Sequence, residues 1–194
     1  MKKKRILAMI LAVASCLSLA VSASAANTVT RKATDFRDYD RTAWYAEAVS
    51  AAVDNGLLYG KSATIIDPNG AMTRAEMAAI INRSFGCYKT ADISQYKDVS
   101  KDKWYYKDIA LAAQMGTYNG RSTSTMAPDA PISRQEAMTV VARALELDYD
   151  AYAKTDLSAF SDRSEISNWA LPYVRAMVGA DYIHGRGKVL APQD

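Results

Sequence analysis

The sequence predicts an all-α protein assembled from helix-loop-helix repeats, and three observations carry that expectation. Trp44, Trp104 and Trp169 each follow an aromatic-x-Asp element, namely Phe36-Arg37-Asp38, Tyr96-Lys97-Asp98 and Phe160-Ser161-Asp162, and each is followed 16 positions on by a glycine: Gly60, Gly120 and Gly185. Twenty-nine positions after the first two tryptophans stand Thr73-Arg74-Ala75-Glu76 and Ser133-Arg134-Gln135-Glu136, each opening an apolar run. Within those runs the apolar residues recur at helical rather than strand spacing. A register of about 60 residues is the mark of stacked supersecondary units that share one core.

The first 25 residues stand apart. Lys2-Lys3-Lys4-Arg5 is a positive n-region, Ile6 to Val21 an apolar stretch, and Ala23-Ser24-Ala25 a small-x-small cleavage site, so 1–25 is expected to be a secretory signal peptide. Val13-Ala14-Ser15-Cys16 offers lipidation at Cys16 as an alternative, but the apolar stretch continues past it, which favours simple cleavage. Of 24 basic and 21 acidic residues, four basic and no acidic ones lie in this segment, leaving 20 against 21. A near-neutral mature chain gives no electrostatic footprint for nucleic acid. Without the signal only Cys87 remains, so no intramolecular disulfide can form and the repeats must build an adequate apolar core together. A single histidine, His184, leaves no Cys/His cluster for zinc, and neither metal nor cofactor is expected.

A short linker, 26–35, precedes repeat one (36–90), repeat two (91–150) and an incomplete repeat three (151–194). In each, a first helix begins near the Trp; Ala48, Val49, Ala52 and Val53, then Ile109, Ala112 and Ala113, form its apolar face. Gly56 and Gly116 cap it, with Asp181 in their place in repeat three. Pro172, three residues after Trp169, fits a helix only in its first turn. Turn-rich loops follow, Asp67-Pro68-Asn69-Gly70 and Ala127-Pro128-Asp129-Ala130-Pro131. The second helices start at capping boxes, Thr73 with Glu76 and Ser133 with Glu136. Their apolar positions, Met77, Ile80, Ile81 and Phe85, and Ala137, Val140, Val141, Ala144 and Leu145, are expected to face the core.

Helix physics does not explain Arg74 and Arg134. At the first helical position a positive charge opposes the helix dipole, at a cost of about 0.3 to 1 kcal/mol. Two readings remain open. Free N–H groups with a guanidinium beside them would clamp a carboxylate or phosphate; alternatively the arginines form ion pairs with an acid such as Asp38 or Asp98. A base also follows each loop glycine, Lys61, Arg121 and Arg186, next to Tyr59, Asn119 and His184. Those positions suit either an acidic sugar or a solvated loop tip.

These residues resemble the S-layer homology domain, whose repeats carry an aromatic-x-Asp start, a Trp, a glycine-punctuated loop with a proline and a Thr-Arg-Ala-Glu element. Thr73 to Glu76 matches the last fully, and Ser133 to Glu136 is a conservative variant. The resemblance implies a pseudo-threefold assembly of the repeats around a central helical bundle, with grooves between neighbouring repeats. It also implies non-covalent binding of bacterial secondary cell-wall polysaccharide, often at a terminal pyruvylated amino sugar, holding an exported protein in the cell wall or S-layer. Arg74 and Arg134 would read the pyruvyl carboxylate; Asp38, Asp98 and Asp162, and Trp44, Trp104 and Trp169, would line or support the grooves. Repeat three departs from the pattern, because no second Thr-Arg-Ala-Glu helix follows Gly185; the expectation is two working grooves or a shortened gene product. An unpartnered apolar face on Val174, Met177 and Val178 is expected in consequence. No nucleophile and base pair supports an enzyme, and a surface protein-protein scaffold is the alternative.

Overall fold

A computed structural model describes residues 31–194. The expected signal peptide, with Cys16, and residues 26–30 of the linker lie outside the described residues. The unit Lys32–Asp194 is helical. Its helices are α1 (Ala46–Asp54), α2 (Arg74–Phe85), α3 (Tyr106–Met115), α4 (Arg134–Ala144) and α5 (Leu171–Gly179), with short 3-10 turns at Ala33–Asp35 and Arg163–Glu165. Among the described residues there is no sheet, only the isolated bridges Thr73 to Pro131 and Arg186 to Val189.

Local chemistry sets the boundaries as expected. Each first helix begins two residues after its Trp, and Pro172 sits in the first turn of α5. Gly116 caps α3 with φ +75, Gly56 follows α1 with φ +67, and Asp181 takes the same left-handed conformation after α5 with φ +67. Aspartate tolerates that region better than most residues do. Both capping boxes are formed: the Glu76 N–H donates to Thr73 Oγ1 at 3.2 Å and the Thr73 N–H to Glu76 Oε2 at 2.8 Å, with Ser133 and Glu136 repeating the exchange.

The helices pair out of phase with the repeats. The second helix of each repeat packs on the first helix of the next, α2 on α3 and α4 on α5. Ala75, Ala78 and Ile81 of α2 meet Ile109 and Ala112 of α3 in one core, while Met138 and Ala142 of α4 meet Val174 and Met177 of α5 in another. The expectation of an unpartnered face in repeat three is therefore corrected: Val174 and Met177 are buried, covered from the preceding repeat. Among the described residues it is α1 that lacks such a partner. Its Val53 joins Ala33, Phe36 and Ile66 in a small cluster, with Tyr39, Val49 and Leu58 packed against it.

The second helices bury part of the expected arc, Ile81, Val140 and Ala144, but the buried face is shifted. In α2 the small residues Ala75, Ala78 and Ala79 are buried while Phe85 is exposed, because α2 lies against both α3 and α4 and alanine permits close approach. Asn82 is buried with them, its side-chain amide donating to the Asp108 carbonyl at 2.8 Å.

Candidate functional site

The aromatic-x-Asp element is a loop clamp. Asp38 accepts the N–H groups of Ile66 and Asp67 at 3.0 and 2.7 Å, Asp98 those of Met126 and Ala127, and Asp162 those of Leu190 and Ala191. The second residue of each pair is left-handed, with φ +58, +55 and +50, so the carboxylate holds a backbone conformation that a non-glycine residue resists. The N–H of Ile66 holds the Asp38 carboxyl below the usual carboxylate range. The ring two residues earlier packs on the loop glycine: a Cβ on Gly60 would come within 2.5 Å of Phe36, and one on Gly185 within 2.6 Å of Phe160, while Tyr96 blocks Gly120 in the same way. The three aspartates thus support the loops from behind.

The helix starts are fastened across repeats. The N–H groups of Arg74 and Ala75 donate to the carbonyls of Ala130 and Pro128, and those of Arg134 and Gln135 to Asp194 and Pro192. With the Glu76 and Glu136 N–H groups capped by Thr73 and Ser133, the backbone donors at these helix starts are already engaged. The ion-pair reading holds for Arg74, although its acid is Glu136 of the next repeat rather than Asp38 or Asp98. Its side chain, 4% exposed, donates from Nε to the Met126 carbonyl at 3.0 Å and from Nη1 to Glu136 at 2.9 Å, and lies over the Tyr118 ring at 5.1 Å. Burial disfavours its charge, and the Glu136 carboxylate works against that effect. Arg134 is only half-buried and donates from Nε to the Leu190 carbonyl at 2.9 Å.

The bases after the loop glycines pair with the capping-box glutamates. Lys61 Nζ lies 2.7 Å from Glu76, Arg121 lies 3.1 Å from Glu136, and Arg186 reaches Asp194 at 2.9 Å. Burial pushes the Glu76 and Glu136 carboxyls up, but the hydrogen bonds from Lys61 and Thr73, and from Arg121 and Ser133, outweigh it and hold both below the ordinary glutamate range.

Two clefts result, at corresponding positions. The first, about 520 Å³, is lined by Tyr59, Gly60 and Lys61 of the loop, by Glu76, Ile80 and Arg83 of α2, and by Trp104 of the next repeat. The second, about 510 Å³, is lined by Asn119, Gly120 and Arg121, by Glu136, Val140 and Arg143 of α4, by Trp169 of the next repeat and by Arg74 of the preceding one. Among the residues lining the second, Arg74, Arg121 and Arg143 stand against Glu136 alone, an excess of positive charge. In the first, Lys61 and Arg83 are balanced by Asp67 and Glu76.

Of the sequence-predicted site residues, Lys61, Trp104, Arg74, Arg121 and Trp169 line these clefts; Arg134, Arg186, Asp38, Asp98, Asp162 and Trp44 do not. Trp104 and Trp169 are 60% and 52% exposed, so their rings are open surfaces rather than core, and Trp44 stands 89% exposed outside either cleft. Sequence reasoning missed Arg83 and Arg143. Each holds a main-chain carbonyl, Leu57 at 2.9 Å and Thr117 at 3.5 Å, and lies over an aromatic ring, Tyr59 at 4.2 Å and Tyr173 at 4.8 Å. Their identical place near the end of both second helices was the available signal.

The sequence profile described as the S-layer homology domain matches at residues 35–78, 95–138 and 159–194. The chain belongs to the S-layer homology domain family. It is similar to the Surface-layer 125 kDa protein of Lysinibacillus sphaericus, 32% identical over 79% of this chain and 13% of that protein. It is also similar to an Endoglucanase of Bacillus sp. (strain KSM-635), 26% identical over 94% of this chain and 19% of that protein, and to S-layer protein sap of Bacillus anthracis, 28% identical over 63% and 14%. The chain thus spans less than a fifth of the length of these relatives. S-layer homology repeats are non-catalytic anchoring modules that bind cell-wall polysaccharide, and membership places this chain at the cell surface. Among the described residues no helix is long and apolar enough to cross a membrane.

Proposed function

We propose that the two inter-repeat clefts attach this protein, exported by its first 25 residues, to the wall by binding an acidic, pyruvylated sugar of a secondary cell-wall polysaccharide, without catalysis. The observation that carries the reading is the recurrence of one constellation in two different repeats: a guanidinium at Arg83 or Arg143, an open indole at Trp104 or Trp169, and a loop glycine, around nearly equal volumes. An indole packs on the apolar face of a sugar ring, and a guanidinium pairs with a carboxylate. The charge excess favours the second cleft for the acidic sugar. Arg74 contributes field and shape there while its donors fasten the repeats. A pseudo-threefold arrangement belongs to the same proposal, and by correspondence its third cleft would be built on Arg134, Gly185 and Arg186.

The test is a pull-down of the mature chain with purified cell walls before and after acid removal of ketal-linked pyruvate. Binding lost with the pyruvate supports the reading. Retention by stripped walls refutes pyruvyl recognition, and capture only by wall proteins would favour the scaffold alternative.

A further inference from the structure

Repeat three carries a cavity apart from the two inter-repeat clefts. It measures about 400 Å³ and is lined by Lys154, Asp156, Leu157, Arg163, Leu171 and Arg175 among others. The positions corresponding to Arg163 and Arg175, counted from the clamp aspartate and from the Trp, are Val99 and Ala110 in repeat two, both buried in its core. There the linker closes onto the helix, the Ala91 N–H donating to the Ala110 carbonyl at 3.0 Å. In repeat three the corresponding Thr155 N–H turns back to the Tyr152 carbonyl at 2.9 Å, and an arginine stands where the alanine was.

Arg163 stays exposed, but the half-buried Arg175 costs solvation where its guanidinium is covered unless something pairs with it. None of the ion pairs among the described residues engages Lys154, Arg163 or Arg175. Arg175 Nε is buried without a hydrogen-bond partner, and Arg163 makes only a long bond, 3.4 Å from Nη1 to the Phe160 carbonyl. The one carboxylate lining the cavity, Asp156, is held by Ser158, accepting its N–H at 2.8 Å and its hydroxyl at 2.7 Å, and with these bonds the weaker pull of the Arg163 charge keeps its carboxyl below the usual range. Three cations against one already satisfied anion, with Leu157 and Leu171 as apolar wall, form a site short of negative charge.

We propose that this cavity is an oxyanion site, taking a phosphate or carboxylate group onto the Arg163 and Arg175 guanidinium groups and the Lys154 ammonium. It is separate from both inter-repeat clefts, so it does not depend on their assignment. The full mature chain is titrated with sodium phosphate and, separately, with sodium pyruvate, at ionic strength held constant with sodium chloride, while the Arg175 Nε–Hε resonance is followed by NMR. A saturable shift with either anion is expected, and the anion that saturates identifies the group bound. Lys154→Gln with Arg163→Gln, both at exposed positions, should keep the fold and weaken that binding roughly tenfold or more. A linear drift no different from that with chloride, or saturation unchanged in the double variant, overturns the proposal.

Discussion

Replacing Arg74 by alanine should damage the fold far more than the same change at Arg134, although the two arginines occupy the same motif position. Arg74 would lose a hydrogen bond to the Met126 carbonyl, a charge-assisted one to Glu136 and its seat over Tyr118, all in a site 4% exposed. Glu136 would keep Arg121 as a partner, so the cost stays short of that of a fully orphaned buried charge. The loss comes to about 3 kcal/mol. Arg134 would lose one bond to the Leu190 carbonyl at a half-buried position, about 1 kcal/mol. For a domain of this size the melting temperature should fall roughly 6 to 12 °C for Arg74→Ala and roughly 2 to 4 °C for Arg134→Ala. Thermal and urea unfolding of the mature chain measure both. Equal losses, or an Arg74→Ala protein as stable as the parent, would refute the view that Arg74 fastens repeat one to repeat two.

Hydrogen exchange should find α1 the least protected of the described helices, since only Ala46 and Val53 of it are buried and no second helix among the described residues packs on it; protection equal to that of α3 or α5 would contradict the out-of-phase pairing. Glu76 and Glu136 have carboxyls held below the ordinary value of 4.5, so their stabilisation is complete above that pH and is lost as pH falls through the lower folded values; Glu136→Gln should flatten the stability profile below about pH 4.5, and a profile parallel to the parent's would count against it. Burial raises the Cys87 thiol, so at pH 7 a disulfide reagent should modify it more slowly than free cysteine, and faster modification would show that the thiol is activated.

Local chemistry was legible in the chain, and its partners across repeats were not. Capping boxes, Pro172 in a first turn and a left-handed residue after each first helix follow from a few neighbouring residues, and all are observed. The aromatic-x-Asp element was visible as a pattern, but its purpose depends on a loop 28 and 29 residues downstream whose N–H groups the carboxylate holds. The dipole argument singled out Arg74 and Arg134 as positions that helix physics alone does not explain. It misplaced their partners, because nothing local says that a helix start will dock on the next repeat's loop carbonyls and use the donors an anion would need. Nothing local sets Arg83 and Arg143 apart from any base near a helix C-terminus, and the clefts they line with a tryptophan from the following repeat are visible only in three dimensions.

The most direct test of cleft recognition is calorimetric titration of the mature chain with purified secondary cell-wall polysaccharide, using the parent, Arg143→Ala and Trp169→Ala. Both changes touch the second cleft, and Trp169 is half exposed, so its loss should leave the fold intact. The account predicts affinity reduced roughly tenfold or more by each change, as for the loss of one charge-assisted contact or one stacked ring. Parental affinity in both folded variants would contradict it.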